Sequence, residues 1–288
     1  MILQLRSHDD LADSALDALL ERADEFRQGS TARRSAKNAA LLFFEPSLRT
    51  RTGFLAAAQR LGWPTPVEVL ERRSSEISMP ESIADTVAVL ASYFEMLIVR
   101  VDKPIDTIAT HVPSSVGLVN AGDRGDRAEH PTQALIDFFA MRLLVGDVAT
   151  MKVALCGDMR MRSARSLLKL LARRQPAELV VVTDPALMPG LELPPNMTCR
   201  VTDSLDGLDD IDALHAVGVP HLAVPEATRQ RLRVDASALG ILSPRGLVFS
   251  PMPVIDEVAQ NVRSDARMAF LQQSALALPM RMAVLDSL

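Results

Sequence analysis

One short segment of this chain combines two arginines with three hydroxyl groups. It reads Ser-Leu-Arg-Thr-Arg-Thr over residues 47–52 and follows an apolar run and Pro46. A helix that begins near Ser47 directs free backbone N–H groups, hydroxyls and guanidinium groups toward one point, and such an arrangement binds phosphate. The alternative is an ordinary capped helix whose arginines face solvent. The segment alone leaves both interpretations open.

A second segment follows about 80 residues later. Residues 119–123 read Val-Asn-Ala-Gly-Asp, and residues 130–137 read His-Pro-Thr-Gln-Ala-Leu-Ile-Asp. By itself His130 is explained as a helix cap, and Arg100, near the end of a predicted strand, as one half of a surface ion pair. In this order, however, the two segments resemble the aspartate/ornithine carbamoyltransferase family, and its aspartate branch more closely. The resemblance covers nearly the whole chain, as far as the Arg-Met-Ala segment at 281–283.

The resemblance implies that the protein binds carbamoyl phosphate and transfers the carbamoyl group to an amine. The amine attacks the carbamoyl carbon, an oxyanion develops and phosphate leaves, so the protein has to neutralise charge and position both reactants. Thr50, Arg100 and His130 are implied to surround the carbonyl oxygen, and Gln133 to contact the carbamoyl nitrogen. The residues implied to bind the phosphate are Ser47, Leu48 through its backbone N–H, Arg49, Thr50 and Arg100. The family has threonine in place of Leu48, so one hydroxyl contact is missing.

On the acceptor side the chain departs from the aspartate pattern at three places. Met79 stands where the family has a lysine on a mobile loop. Gly218 and Pro220 stand where it has the arginine and glutamine of an Arg-x-Gln segment. The third is the loop Ser-Pro-Met-Pro at 250–253, which replaces His-Pro-Leu-Pro. An acceptor's side-chain carboxylate therefore loses its cations, and burying an unpaired carboxylate costs several kcal/mol.

One residue that binds the amine acceptor is retained, and others have candidate replacements. Arg162 matches the family arginine that binds the α-carboxylate, and His215 and His221 are candidates to replace the lost cations. The loop residues implied to contact the acceptor are Ser250, Pro251 and Met252. Three hypotheses follow: an aspartate carbamoyltransferase with a divergent acceptor loop, a carbamoyltransferase for a different amine, and a catalytically silent relative that serves as an assembly or regulatory subunit. The retained residues on the carbamoyl-phosphate side argue against the third, and the departures argue against the first.

The elements that must position these residues alternate between strand and helix. Apolar runs predict strands at 39–44, 96–101, 116–120, 151–156, 179–183, 213–217 and 247–249. Helical periodicity or helix-start signals predict helices at 11–27, from 47, at 80–93, from 131, at 163–174 and at 265–288. This pattern predicts an α/β fold of two doubly wound parallel-sheet domains linked by helices. We assign residues 1–145 to a carbamoyl-phosphate domain, with an amphipathic helix 265–288 packing back on it, and residues 146–264 to an acceptor domain.

Composition limits the partners. The 288 residues carry a formal net charge of −5, which argues against nucleic acid, and no apolar run is long enough to span a membrane. Cys156 and Cys199 form no disulfide framework and have no metal-ligand spacing, and Cys156 is expected to be a buried core residue. We therefore expect a cytoplasmic protein with no metal or organic cofactor. The resemblance implies a homotrimer in which the 74–80 loop reaches into the neighbouring site.

Overall fold

The computed structural model describes residues 4–69, 82–189, 193 and 199–288. The chain divides into two compact units, residues 1–132 with 277–288, and residues 133–276. These bounds differ from the predicted domain limits because the second unit already begins in the first turn of the helix at 131–144. Met79 and the rest of the 74–80 loop lie outside the described residues. None of the helices in the described ranges has the length and apolar character needed to cross a bilayer.

The strands are short and parallel. They are β1 (Gln4–Leu5), β2 (Ala39–Phe43), β3 (Val67–Val69), β4 (Met96–Arg100), β5 (Gly117–Asn120), β6 (Lys152–Gly157), β7 (Glu178–Val182), β8 (Cys199–Thr202), β9 (Ile211–Val217) and β10 (Leu242–Phe249). The first unit holds a sheet of order β1-β5-β4-β2-β3, and the second a sheet of order β10-β9-β6-β7-β8. The predicted fold of two parallel-sheet α/β domains is confirmed.

The helices lie between the strands along the chain, as parallel pairing requires. They are α1 (Asp13–Arg27), α2 (Leu48–Arg60), α3 (Ile83–Ala91), α4 (Asp106–Ala109), α5 (Pro131–Leu144), α6 (Arg162–Arg174), α7 (Glu226–Arg231), α8 (Phe270–Ala275) and α9 (Ala277–Ser287). The central strands β2, β4 and β5 are buried along most of their length, so they read as continuous apolar runs. For this reason they were predicted to within one or two residues.

The prediction of one long C-terminal helix over 265–288 is wrong. The chain forms two short helices instead, α8 and α9. Helix α9 is also not amphipathic, because residues 279–286 are all buried. It packs against α1 and α2, and therefore does return to the first unit. An apolar helix that is covered on several sides has no polar stripe from which its limits could be predicted.

Cys156 is fully buried in strand β6, as predicted. Burial raises the pKa of its thiol to about 12. Its Sγ lies 3.1 Å from the backbone oxygen of Leu232. The residue is therefore a neutral part of the core of the second unit.

Candidate functional site

The residues predicted for the carbamoyl-phosphate side follow three neighbouring strands of the first sheet. Phe43 at the end of β2 pairs with Arg100 at the end of β4, and Val99 pairs with Asn120 at the end of β5. Helix α2 follows β2, and His130 lies in the loop after β5. Because the carboxyl ends of parallel strands meet at one edge, the fold brings these segments to the same edge of the sheet.

The first turn of α2 has backbone N–H donors that find no acceptor inside the helix. Ser47 is the N-cap residue in extended conformation, but its side chain makes no capping hydrogen bond. The N–H groups of the first turn have no acceptor within the helix itself, and the turn contains no acidic residue. Leu48 is 72% exposed, whereas Thr50 is buried. Arg49 is exposed, although partial desolvation lowers the pKa of its guanidinium. The turn is thus positive and open to an anion.

Arg100 lies at the end of β4 with only 12% of its side chain exposed. Its Nη1 donates to the carbonyl oxygen of Ala121 at 3.1 Å, and its Nε lies 3.8 Å from Glu45 Oε2. Glu45 also accepts a 2.7 Å hydrogen bond from Arg124. These contacts hold the guanidinium of Arg100 beside the β5 loop, and its ion pair with Glu45 is mostly buried instead of lying on the surface.

The carboxylate of Asp123 stabilises the loop that carries His130. Asp123 accepts hydrogen bonds from the backbone N–H of Ile105 at 2.8 Å and of Glu129 at 2.6 Å. His130 itself is 7% exposed, and its Nδ1 lies 3.4 Å from Thr132 Oγ1. The Asn-Ala-Gly-Asp segment therefore stabilises the loop after β5. That loop places the buried imidazole of His130 directly before α5.

The residues predicted for the acceptor lie at the corresponding edge of the second sheet. Gly157 at the end of β6 pairs with Val217 at the end of β9, and Phe249 at the end of β10 pairs with His215. Arg162 is the first residue of α6, which follows β6. Gly218 and Pro220 follow β9, and the loop of Ser250, Pro251 and Met252 follows β10.

Gln133 takes part in a buried network within the second unit. Asp137 Oδ1 accepts hydrogen bonds from Gln133 Nε2 at 2.7 Å and from Gln273 Nε2 at 2.6 Å. Gln273 Oε1 in turn accepts a hydrogen bond from the backbone N–H of Ser250 at 2.9 Å. His215 Nε2 lies 3.2 Å from Asp137 Oδ2, and both side chains are fully buried. His215 is therefore part of this network, and not an exposed replacement for the missing cations.

Sequence reasoning missed Glu257, which lies next to the position of the missing arginine. Its carboxylate accepts hydrogen bonds from Ser250 Oγ at 3.3 Å and from the backbone N–H of Ile255 at 2.9 Å. A Cβ at Gly218 would lie 3.7 Å from Glu257 Oε2. The hydroxyl of the buried Ser250 is thus used inside the protein. The departure from arginine at 218 leaves a carboxylate, instead of a cation, beside β9.

Arg229 was also missed, because it lies beyond the segment in which an arginine was sought. It is on α7, contacts His221 and Glu226, and its Nη1 lies 2.8 Å from Asp256 Oδ2. The exposed His221 is 3.8 Å from the same carboxylate. The carboxylates of Glu226 and Asp256 therefore already pair with Arg229. In the described ranges no group of three or more His, Cys, Asp or Glu residues is placed to hold a metal ion.

Known proteins resemble the chain along its whole length. The family "Aspartate/ornithine carbamoyltransferase, carbamoyl-P binding domain" matches residues 4–143. The aspartate carbamoyltransferase catalytic subunit of Archaeoglobus fulgidus is 29% identical over 99% of both chains, and that of Sulfurisphaera tokodaii is 28% identical over 96% of this chain and 95% of the relative. The chain is thus similar to aspartate/ornithine carbamoyltransferases, in its first half by the family match and along its length by these relatives.

Solved structures agree with this similarity. The aspartate transcarbamoylase of Trypanosoma cruzi, in complex with N-(phosphonacetyl)-L-aspartic acid, superposes with a TM-score of 0.83 at 26% identity and covers 100% of this chain and 96% of that one. The catalytic subunit of the M. jannaschii enzyme also gives 0.83, at 25% identity over 99% and 97% of the two chains. The family resemblance drawn from the two segments is confirmed, and it points to the aspartate branch.

Proposed function

We propose that this carbamoyltransferase family member transfers the carbamoyl group of carbamoyl phosphate to L-aspartate, which gives N-carbamoyl-L-aspartate and phosphate, a step of pyrimidine biosynthesis. The observation that carries the proposal is the open, positive first turn of α2, which shares one sheet edge with Arg100 and His130. The named relatives are aspartate carbamoyltransferases, and their similarity extends over both units.

The residues act through charge and position. Ser47, Arg49 and the first-turn N–H groups bind the phosphate of the carbamoyl donor. Thr50, Arg100 and His130 stabilise the oxyanion that forms when the amine attacks, because donors preorganised at a developing charge lower the barrier. Phosphate then leaves with its charge already balanced by the arginines.

In the second unit, Gln133 contacts the carbamoyl nitrogen and Arg162 pairs with the α-carboxylate of the acceptor. The backbone of the Ser250, Pro251 and Met252 loop borders the acceptor. A cytoplasmic homotrimer, with carbamoyl phosphate and a small amine as its ligands, completes the proposal. These residue roles remain predictions.

The test is phosphate release from carbamoyl phosphate in the presence of a panel of amines that includes L-aspartate. Turnover with aspartate supports the proposal. Because a carboxylate stands beside Gly218, the second candidate is a less acidic amine, and turnover only with such an amine would favour it. Binding of carbamoyl phosphate without turnover of any amine would favour a silent subunit.

Two variants locate the chemistry. Arg49→Ala and His130→Ala are each expected to lower kcat by about 10²–10³, the usual loss when one charge-stabilising donor is removed. Circular dichroism and thermal unfolding serve as the control for folding. Normal turnover in either variant would refute the assignment of these residues.

A further inference from the structure

Arg281 lies on α9 and is buried against α2, although sequence analysis gave it no role. It is only 4% exposed. A Cβ at Gly53 would lie 1.9 Å from its Nη1, so the guanidinium occupies the space that the glycine leaves free. Its Cζ lies 5.4 Å from the centroid of the Phe54 ring. Gly53 is four residues after Arg49, and it therefore lies on the same face of α2.

Among the residues that the structure describes, no carboxylate pairs with Arg281. In the part of the chain that the structure describes, Arg281 forms no ion pair, and its buried Nε has no hydrogen-bond acceptor. The charge that acts on it most is Arg49, which has the same sign. Burial, with a smaller contribution from Arg49, lowers the pKa of Arg281 to about 10, so it remains a cation at neutral pH.

Such a charge is costly unless something neutralises it. A buried cation without a partner loses its hydration and gains no attraction in return, and the ring of Phe54 supplies only a weak one. Two like charges beside one helix start add a repulsion. A dianion at the first turn of α2 would remove that repulsion and attract both guanidinium groups.

We propose that Arg281 is a positioning residue of the anion site, whose uncompensated charge beneath α2 strengthens the binding of a phosphate group at Arg49. This inference rests on the proposed function, since it assigns the phosphate to the same first turn. The ligand class is a phosphoryl dianion, as in carbamoyl phosphate and inorganic phosphate. Gly53 is part of the arrangement because any larger residue displaces the guanidinium.

The experiment compares Arg281→Met, which keeps the volume but removes the charge, with Arg281→Lys, which keeps the charge. Arg60→Met is the matched control, because it removes one positive charge from the exposed far end of the same helix. The Kd of inorganic phosphate is measured by calorimetry, the KM of carbamoyl phosphate and kcat by phosphate release, and the ligand-free Tm by calorimetric unfolding.

We expect Arg281→Met to weaken phosphate binding about tenfold or more, the effect of losing one nearby charge in a partly screened site. The KM of carbamoyl phosphate should rise in parallel. Arg281→Lys should keep most of the affinity, and Arg60→Met should leave it unchanged. The ligand-free Tm of Arg281→Met should not fall, because the lost charge was not stabilising. If Arg281 only filled space, Arg281→Met would leave the phosphate affinity unchanged, because methionine keeps the volume, and that result would contradict the inference.

Gly53→Ala provides a second test that does not depend on the folding of Arg281→Met. The added methyl group displaces the guanidinium while alanine favours the helix, so phosphate affinity should fall with little change in Tm. Unchanged phosphate affinity in both Arg281→Met and Gly53→Ala would overturn the inference, even if the wild-type protein turns over carbamoyl phosphate. If the wild type neither binds phosphate nor turns over carbamoyl phosphate, the proposed function fails together with it.

Discussion

Two arginines in the first unit are almost equally buried, yet their surroundings are opposite. Arg22 on α1 is 5% exposed, and Arg281 on α9 is 4% exposed. Arg22 donates to Asp286 at 2.8 Å, to Glu25 at 2.6 Å and to the backbone carbonyl of Thr31 at 2.6 Å. Those hydrogen bonds outweigh desolvation and raise the pKa of Arg22.

The difference teaches that burial does not by itself identify a structural arginine. Arg22 is satisfied within its own unit, and its partner Asp286 also lies on α9. Arg281, five residues earlier on that helix, lies beside another cation. A charge that the protein stabilises with its own groups serves the fold, whereas a charge that is left for an external anion serves binding.

The largest expected effect comes from breaking the satisfied pair. Arg22→Met leaves the buried carboxylate of Asp286 without its main cation, and we expect the free energy of unfolding to fall by about 3–5 kcal/mol. Urea unfolding measures this loss. Arg27→Met is the control, because Arg27 pairs with Asp24 on the exposed side of the same helix and should cost less than about 1 kcal/mol.

A double variant sharpens the same point. Arg22→Met combined with Asp286→Leu removes both charges, and it should recover much of the lost stability because no unpaired carboxylate remains. A single Arg22→Met variant that unfolds at the same urea concentration as the wild type would contradict this account of the pair.

A smaller effect is expected from the buried network around Asp137 in the second unit. Asp137→Asn replaces a carboxylate that accepts from Gln133 and Gln273 with an amide that carries donors of its own. We expect a loss of about 2 kcal/mol in the free energy of unfolding, since a neutral amide oxygen accepts from the two glutamines more weakly than a carboxylate does, and the new N–H donors lie in a buried site. Asp206→Asn, on an exposed turn of the same unit, should have no measurable effect. Equal stability of the two variants would show that the network contributes little.

The smallest effect is expected for Cys156. Unlike the two arginines, this buried titratable group avoids the cost of a buried charge by staying neutral. The pKa of Cys156 is raised by burial, so its thiol should resist a thiol reagent at pH 8 until the protein unfolds. In a Cys199→Ser background, thiol titration with and without urea isolates Cys156. Rapid modification of the native protein would contradict the assignment.

The same raised pKa has a consequence for stability at alkaline pH. A thiol whose folded pKa is about 12, above its ordinary value of 9.0, contributes stability that is fully present below pH 9 and is lost as the pH rises toward 12. Cys156→Ala has no thiol to ionise, so it cannot lose stability in this way as the pH rises. The difference in urea midpoint between the two proteins should therefore narrow above pH 9.

Most of the fold could be predicted because the central strands are apolar runs. Strands β2, β4, β5 and β6 are almost fully buried, which makes them visible in a sequence. The edge strand β8 was missed because its residues are partly exposed and include Arg200. Strand β1 was missed because it has only two residues, which are too few to show a periodic pattern.

The part of the candidate site that lies in two short sequence motifs could be predicted. The Ser-x-Arg-Thr-Arg and His-Pro-Thr-Gln segments were found because they carry charges and hydroxyls in an unusual order. Arg281, Glu257 and Arg229 could not be assigned, because their environments depend on contacts between residues far apart in the chain. The one available signal for Arg281 was an arginine inside an otherwise apolar helix, which is unusual in a protein core.

Helix α9 makes the first unit discontinuous along the chain. Residues 277–288 of the first unit are synthesised after the whole second unit, and they supply both Asp286 for Arg22 and the guanidinium of Arg281 against α2. During synthesis the faces of α1 and α2 that pack against α9 stay uncovered until the end, whereas residues 133–276 form one continuous stretch of the chain. The usual order of vectorial folding is therefore expected to be reversed here, with the middle of the polypeptide completing its structure before the beginning.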